Sequence, residues 1–216
     1  MLDLNYALPD FASGLQMNLS LIGAWRNDPA MFRGGVRLGS VYGCFPRCRA
    51  NGGRHHLGLQ YPPYRMHAAF AALNDAGVKA RLTFTNMFAD ARALRDDAYV
   101  RTILDVASDY DVEVIVYSDE AADYLRRNYP FKLVLSTTRE IGDIDALNDA
   151  LERFDYVVLN YNLNKDYGTL AQVARPERLE VMVNEVCAPT TASATSRSSG
   201  ATGNAKSPST SSCTTL

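Results

Sequence analysis

Short apolar runs alternate with amphipathic stretches along most of the chain. The runs are 4–8, 36–42, 80–85, 112–117, 132–135, 156–159 and 179–183. Most are rich in Val, Ile, Leu, Phe or Tyr, and few alternate strictly with polar residues. That is the pattern of strands buried on both faces of a parallel sheet. Between them the spacing predicts helices over 11–26, 67–76, 99–108, 120–128, 144–154 and 167–173, with Leu15, Leu19 and Ile22 on one face of the first and Gly77 stopping the second. Strands alternating with helices predict a βαβ series wound in one sense by right-handed crossovers. The fold class is therefore α/β: a parallel (β/α)8-type TIM barrel, incomplete at about seven strands. An open doubly wound sheet is the alternative. A missing eighth strand would leave an open barrel edge that invites association.

The C-terminal ends of the runs are polar. Asn86 follows the third and Ser118 the fourth. Ser136, Thr137 and Thr138 follow the fifth, Asn160 and Asn162 the sixth, and Asn184 and Glu185 the seventh. The second ends Tyr42-Gly43-Cys44. In parallel α/β folds this edge builds the ligand site, because every strand points the same way and the following loops ring it. Ser, Thr and Asn there also cap helices. Capping suits Ser118, just before Asp119-Glu120, better than it suits Asn160 or Asn184.

The composition breaks at Pro189. Of the 27 residues in 190–216, 15 are Ser or Thr, and none is Val, Ile, Phe or Tyr. Such a segment buries too little apolar surface to offset its ordering entropy. It is expected to be a disordered Ser/Thr-rich tail after a barrel-like domain over 1–189. A truncation or frameshift after Pro189 is the sharper reading: suitable codons for 190–195, read in a neighbouring frame, spell Asn-Cys-Gln-Arg-His and put a cysteine at Thr191. Over its 216 residues the chain has 22 Lys plus Arg against 24 Asp plus Glu, a net charge of −2. That excludes a strongly basic nucleic-acid coat but leaves room for a local basic patch. No apolar run approaches the roughly 18 residues that span a bilayer. No signal peptide is visible. A cytoplasmic location without membrane contact is expected.

The densest segment is Tyr42-Gly43-Cys44-Phe45-Pro46-Arg47-Cys48-Arg49-Ala50-Asn51-Gly52-Gly53-Arg54. Gly52-Gly53 permits a sharp turn and a close backbone approach. Arg47, Arg49 and Arg54 offer planar forks for phosphate or carboxylate. With Asn51, Asn86, Ser136, Thr137 and Asn160 they are the candidate substrate-binding set, for an anionic small molecule or a nucleic acid at the strand C-terminal edge. A plain polar loop with a Gly-Gly turn explains the same residues. Cys44, Cys48 and Cys187 all follow strands. In a barrel they would share one edge, where three thiols suit iron–sulfur or zinc better than a redox disulfide. Each could instead be a small buried apolar residue. The four cysteines include Cys213, which lies in the tail. His55, His56 and His67 are the only histidines, and there is no HExxH, GxSxG or GxxxxGK motif. Glu140 and Glu185, with Asn184 beside the latter, are the candidate catalytic groups.

Taken in order, Leu8-Pro9, Val41-Tyr42-Gly43, the Cys/Arg loop, Thr83-Phe84-Thr85-Asn86, Val114-Ile115-Val116-Tyr117-Ser118, Tyr129-Pro130, Leu135-Ser136-Thr137-Thr138, Val157-Val158-Leu159-Asn160 and Glu180 to Cys187 resemble the collagenase-like U32 peptidase family over about 1–189. The resemblance implies a TIM-barrel-like catalytic domain. It also implies one of two activities: peptidase, as the family name says, or hydroxylation of RNA bases or of the ubiquinone ring. Some members hold a four-iron (4Fe-4S) cluster through four cysteines. Cys44 or Cys48 matches the first ligand position and Cys187 the second. The distal CxxxC pair is absent, although the neighbouring frame would restore one of its cysteines. The Gly-His-Gly-like stretch is replaced by Asn184-Glu185-Val186. Three functions follow as expectations: a modifying enzyme using thiols and polar rim, a peptidase or hydrolase, or a binding module without chemistry. The oligomeric state is not legible.

Overall fold

The computed structural model describes residues 4–52 and 58–183. In chain order the elements are β1 (Leu4–Pro9), α1 (Leu15–Asn27), β2 (Val36–Gly43), α2 (Pro63–Asp75), β3 (Lys79–Phe84), α3 (Ala91–Asp96), α4 (Ala98–Ala107), β4 (Val112–Val116), α5 (Asp119–Asn128), β5 (Lys132–Leu135), α6 (Ile144–Arg153), β6 (Tyr156–Val158), α7 (Tyr167–Leu170) and β7 (Leu179–Glu180), with short 3-10 turns between some of them. The strands form one sheet in the order β1 to β7, and each neighbouring pair is parallel. A doubly wound sheet reverses its strand order at a switch point. This sheet never does, so the barrel-type reading holds and the open-sheet alternative falls. The boundary at Pro189 and the Ser/Thr-rich tail lie outside the described residues.

Local chemistry sets the helix starts. Ser118, as expected, accepts the Ala121 N–H and caps α5. Asp97 accepts from Tyr99 and Val100 at the head of α4, and Asp143 from Ala146 at the head of α6. Helix α2 starts at Pro63 rather than at the expected 67, because proline fits the first turn without losing a hydrogen bond. Helix α3 was not expected; it is one short turn-and-a-half capped by Asp90. The seventh strand is two residues long, not the five expected.

Side chains alternate across β3. Ala80, Leu82 and Phe84 are buried in the layer between sheet and helices, which forms the hydrophobic core with Phe70, Leu73, Ile103, Leu104, Val114 and Leu125. Lys79, Arg81 and Thr83 point to the other face. That face curls round on itself. Arg81 Nε donates to Glu113 Oε2 on β4 at 2.7 Å, and Arg81 Nη1 reaches the Glu180 carboxylate on β7 at 2.7 Å. Its guanidinium also lies 5.5 Å from the centre of the Tyr156 ring on β6. In a flat sheet β3 and β7 would be about 19 Å apart, four strand spacings, too far for an arginine and a glutamate to meet. Strand stagger gives the same answer. The register from Arg81 through Glu113 and Lys132, extended along β5, β6 and β7, leads to Pro176, four residues before Glu180. An eight-stranded barrel with a shear of eight shifts by about four residues over half its circuit. The sheet therefore has the curvature of an eight-stranded barrel, with β3 and β7 on opposite walls. Among the described residues β1 and β7 are not paired to each other. No helix among those residues is long and apolar enough to cross a membrane.

Candidate functional site

The loop leaving β2 is folded down over the end of β3. Cys48 N–H donates to the Phe45 carbonyl at 3.3 Å, closing a turn with Pro46 and Arg47 at its centre. Arg47 has φ of 62°, the left-handed conformation that the third position of such a proline turn demands and that glycine usually fills. Its Nε donates to the Gly58 carbonyl at 2.6 Å. Asn51 Oδ1 accepts from the Thr83 hydroxyl at 3.0 Å. The Ala50 carbonyl accepts the Asn86 N–H at 3.0 Å, and the Arg49 carbonyl accepts from Asn86 Nδ2 at 2.8 Å. Gly52 lies against the end of β3: a Cβ there would be 2.3 Å from the Thr85 carbonyl oxygen. Sequence spacing suggested a glycine that lets the backbone reach a ligand; the backbone it reaches is that of the neighbouring strand end.

Cys44 and Cys48 lie beneath this loop, 0% and 1% exposed. Phe45 packs edge-on to Phe11 and Phe70, with ring centres 5.3 Å apart in each case, and Tyr61 lies 5.6 Å away. The two thiols hydrogen-bond to each other. Burial pushes the Cys44 thiol well above the ordinary value. The bond from Cys44, helped by the N–H groups of Ala50 and Asn51, holds Cys48 below its ordinary value against the cost of burial. The Tyr99 hydroxyl accepts the Tyr61 N–H at 2.9 Å. Burial pushes it up to about 12, with the two thiols adding to the shift.

A cluster needs four ionised thiolates spread around it. Of these the described residues could offer Cys44 and Cys48, whose thiols would lose their protons on ligation. Among the described residues no group of three or more His, Cys, Asp or Glu side chains is placed to hold a metal ion. Cys187 lies outside those residues, as do Gly53, Arg54, His55, His56, Asn184 and Glu185.

The remaining rim groups are engaged locally. Ser136 and Thr138 share a hydroxyl hydrogen bond of 2.8 Å, and Thr137 Oγ1 donates to the Leu159 carbonyl at 2.7 Å. Asn160 Oδ1 accepts the Asn162 N–H, as a helix-turn cap does. Glu140 is exposed, with φ of 50°, at the end of the turn after β5. His67 lies on α2 and hydrogen-bonds to the Tyr110 hydroxyl at 3.0 Å, away from the rim.

On the other wall of the site, sequence reasoning selected Asn86 and missed Phe88. Asn86 Oδ1 accepts the Phe88 N–H at 3.0 Å, which fixes the β3–α3 loop. Phe88 is 81% exposed, and Met87 beside it is 58% exposed. Together with Arg49, Ala50, Asp96 and Asp97, Asn86 and Phe88 line a cavity of about 370 Å³. The one signal in the chain was Met87-Phe88, two large apolar residues in a polar loop. Asp96 is neutralised by Arg92 and Arg95, and Asp97 is committed to capping α4. Arg49 forms no ion pair among the described residues.

No family model and no curated protein matches the chain. Among solved structures it is similar to one described as "The Structure of the U32 Peptidase Mk0906", with 19% identity and a TM-score of 0.47. The match covers 67% of this chain and 58% of that one, so the chain spans less than two thirds of its neighbour. A likeness at that level carries no argument about chemistry.

Proposed function

We propose that the barrel binds an anionic, ring-bearing ligand at its C-terminal edge, as the substrate-holding site of an enzyme that modifies RNA or a small cyclic molecule. The observation that carries this is the cavity between the β2 and β3 exit loops, where Arg49, Asn86 and exposed Phe88 meet. Each supplies a distinct element of recognition. The guanidinium offers a charged fork for phosphate or carboxylate. Phe88 offers an aromatic face on which a ring can stack. Asn86 locks both loops to each other, so the two groups are held before a ligand arrives.

The hydroxylation-type reaction itself rests on the family resemblance. An iron–sulfur cluster would need further ligands beside Cys44 and Cys48, and among the described residues there are none grouped with them. A peptidase needs a nucleophile held by a base; Ser136, Thr137 and Thr138 bond instead to one another or to main chain. That saturation of the rim hydroxyls favours, as the second reading, a binding module without chemistry.

Calorimetric titration separates these ideas. Uridine monophosphate should bind more tightly than either uridine or inorganic phosphate. Arg49→Ala and Phe88→Ala should each weaken it about tenfold, the effect of a lost charged hydrogen bond or stacking contact. Equal affinity in wild type and both variants would remove the cavity from the account. Turnover of a base or ring by the intact protein would decide for enzyme over binding module.

A further inference from the structure

We infer that the opposite end of the barrel carries a second, separate ligand site, for a planar aromatic ring bearing one anionic group. A cavity of about 450 Å³ opens at the foot of α1, where the chain turns into β2. Trp25, Arg26, Pro29, Gly35, Val36 and Arg37 line it. It lies at the start of β2, whereas the rim site lies beyond its end.

The lining gives the ligand its chemistry. Trp25 and Pro29 provide flat apolar surfaces. The Trp25 indole is fixed, because its Nε1 donates to the Val36 carbonyl at 3.1 Å, so stacking on it costs little further ordering. Arg26 forms no ion pair among the described residues. Its guanidinium rests against the turn after α2: a Cβ on Gly77 would lie 2.3 Å from Arg26 Nη2, and only glycine leaves room for it there. Arg37, exposed and already engaged within the fold, adds a second guanidinium. No carboxylate is among the residues that line the cavity; Asp28, beside Pro29 in the chain, is exposed.

One effect opposes an anion here. The C-terminal end of α1 points its carbonyls toward this end of the barrel, equivalent to about half a negative charge. The full positive charge of Arg26 outweighs it. A neutral ring gains only the stacking, and a small anion without a ring gains only the charge. The site is therefore selective for molecules carrying both.

Trp25 is the single tryptophan of the chain, so its fluorescence and its indole N–H resonance report on this cavity alone. Phenyl phosphate titrated into the full chain should shift both signals in a saturable way. Benzyl alcohol and inorganic phosphate should bind at least tenfold more weakly. Arg26→Gln should weaken phenyl phosphate about tenfold while leaving the thermal midpoint and uridine monophosphate binding at the rim unchanged. Arg49→Ala should leave the Trp25 response intact. The inference is overturned if the shift does not saturate, if benzyl alcohol matches phenyl phosphate, or if Arg26→Gln and Arg37→Gln both bind as wild type does.

Discussion

The two halves of the barrel wall handle buried polarity in opposite ways. Toward the start of the strands the inward positions carry full charges: Lys79, Arg81, Glu113 and Glu180, all paired with one another. Toward the strand ends the polar groups are neutral: Cys44, Cys48, Asn51, Ser136 and Asn160, each buried. Asn51 accepts from Thr83 on β3, and Ser136 and Asn160 accept within the turns that follow β5 and β6. Charges in a low-dielectric interior attract strongly over distance and are costly when orphaned. They link opposite walls and hold the curl. Neutral groups act only at contact, so they shape individual loops. The lower half is thus committed to closure, and the upper half is free to present a site.

The largest consequence concerns Arg81. Glu113→Ala leaves a buried guanidinium with only Glu180 and should lower stability by about 3–5 kcal/mol. Replacing Ser136 by Ala, an upper-half change, should cost far less in the same denaturant titration. Equal losses would erase the contrast. Next comes Gly52→Ala, which forces a methyl group against the Thr85 carbonyl. Overpacking of this kind should cost about 1–3 kcal/mol, and ligand affinity at the rim should fall with it, since the loop carrying Arg49 must move. A smaller effect separates two variants of Arg47. Both lose the bond to Gly58, but only Arg47→Gly relieves the left-handed strain. It should be about 1 kcal/mol more stable than Arg47→Ala by thermal denaturation.

The smallest effect appears only in alkali. Tyr99 in the fold ionises near 12, against about 10 in an unfolded chain. A group whose folded value is raised contributes stability that is complete below pH about 10 and is lost as the pH climbs through about 12. The ammonium of Lys79 behaves in the same sense; burial opposes its charge, but Glu113 and Asp111 outweigh that and hold it above the ordinary lysine value. Tyr99→Phe should flatten the alkaline decline without abolishing it. An unchanged slope would mean that Tyr99 is solvated in the fold.

Much of this architecture was readable from the chain. All seven strands and their parallel direction follow from the apolar runs, because burial on both faces leaves a strong local signature, whereas the runs left the order open between a barrel and a doubly wound sheet. Helix α3 escaped because six residues with one buried side chain, Leu94, carry no period. The charged interior escaped for a different reason. Lys79-Ala80-Arg81-Leu82-Thr83-Phe84 alternates, but its meaning depends on Glu180, ninety-nine residues away. The rim was legible as a set of residue types and not as an arrangement. Cys44 and Cys48 were recognisable as neighbours, but the turn centred on Pro46 and Arg47 that joins them, and the burial of both, were not. Arg49 was selected as an anion ligand; its aromatic counterpart Phe88 sits on another loop, joined to it only through Asn86.

The central claim is that the two exit loops form one ligand site. The most direct measurement is a map of backbone amide shifts on adding uridine monophosphate to the isotope-labelled full chain. The account predicts saturable shifts concentrated in 49–52 and 86–97, with the Trp25 indole unmoved until far higher concentrations. Shifts absent from both loops, or spread evenly over the surface, would contradict it.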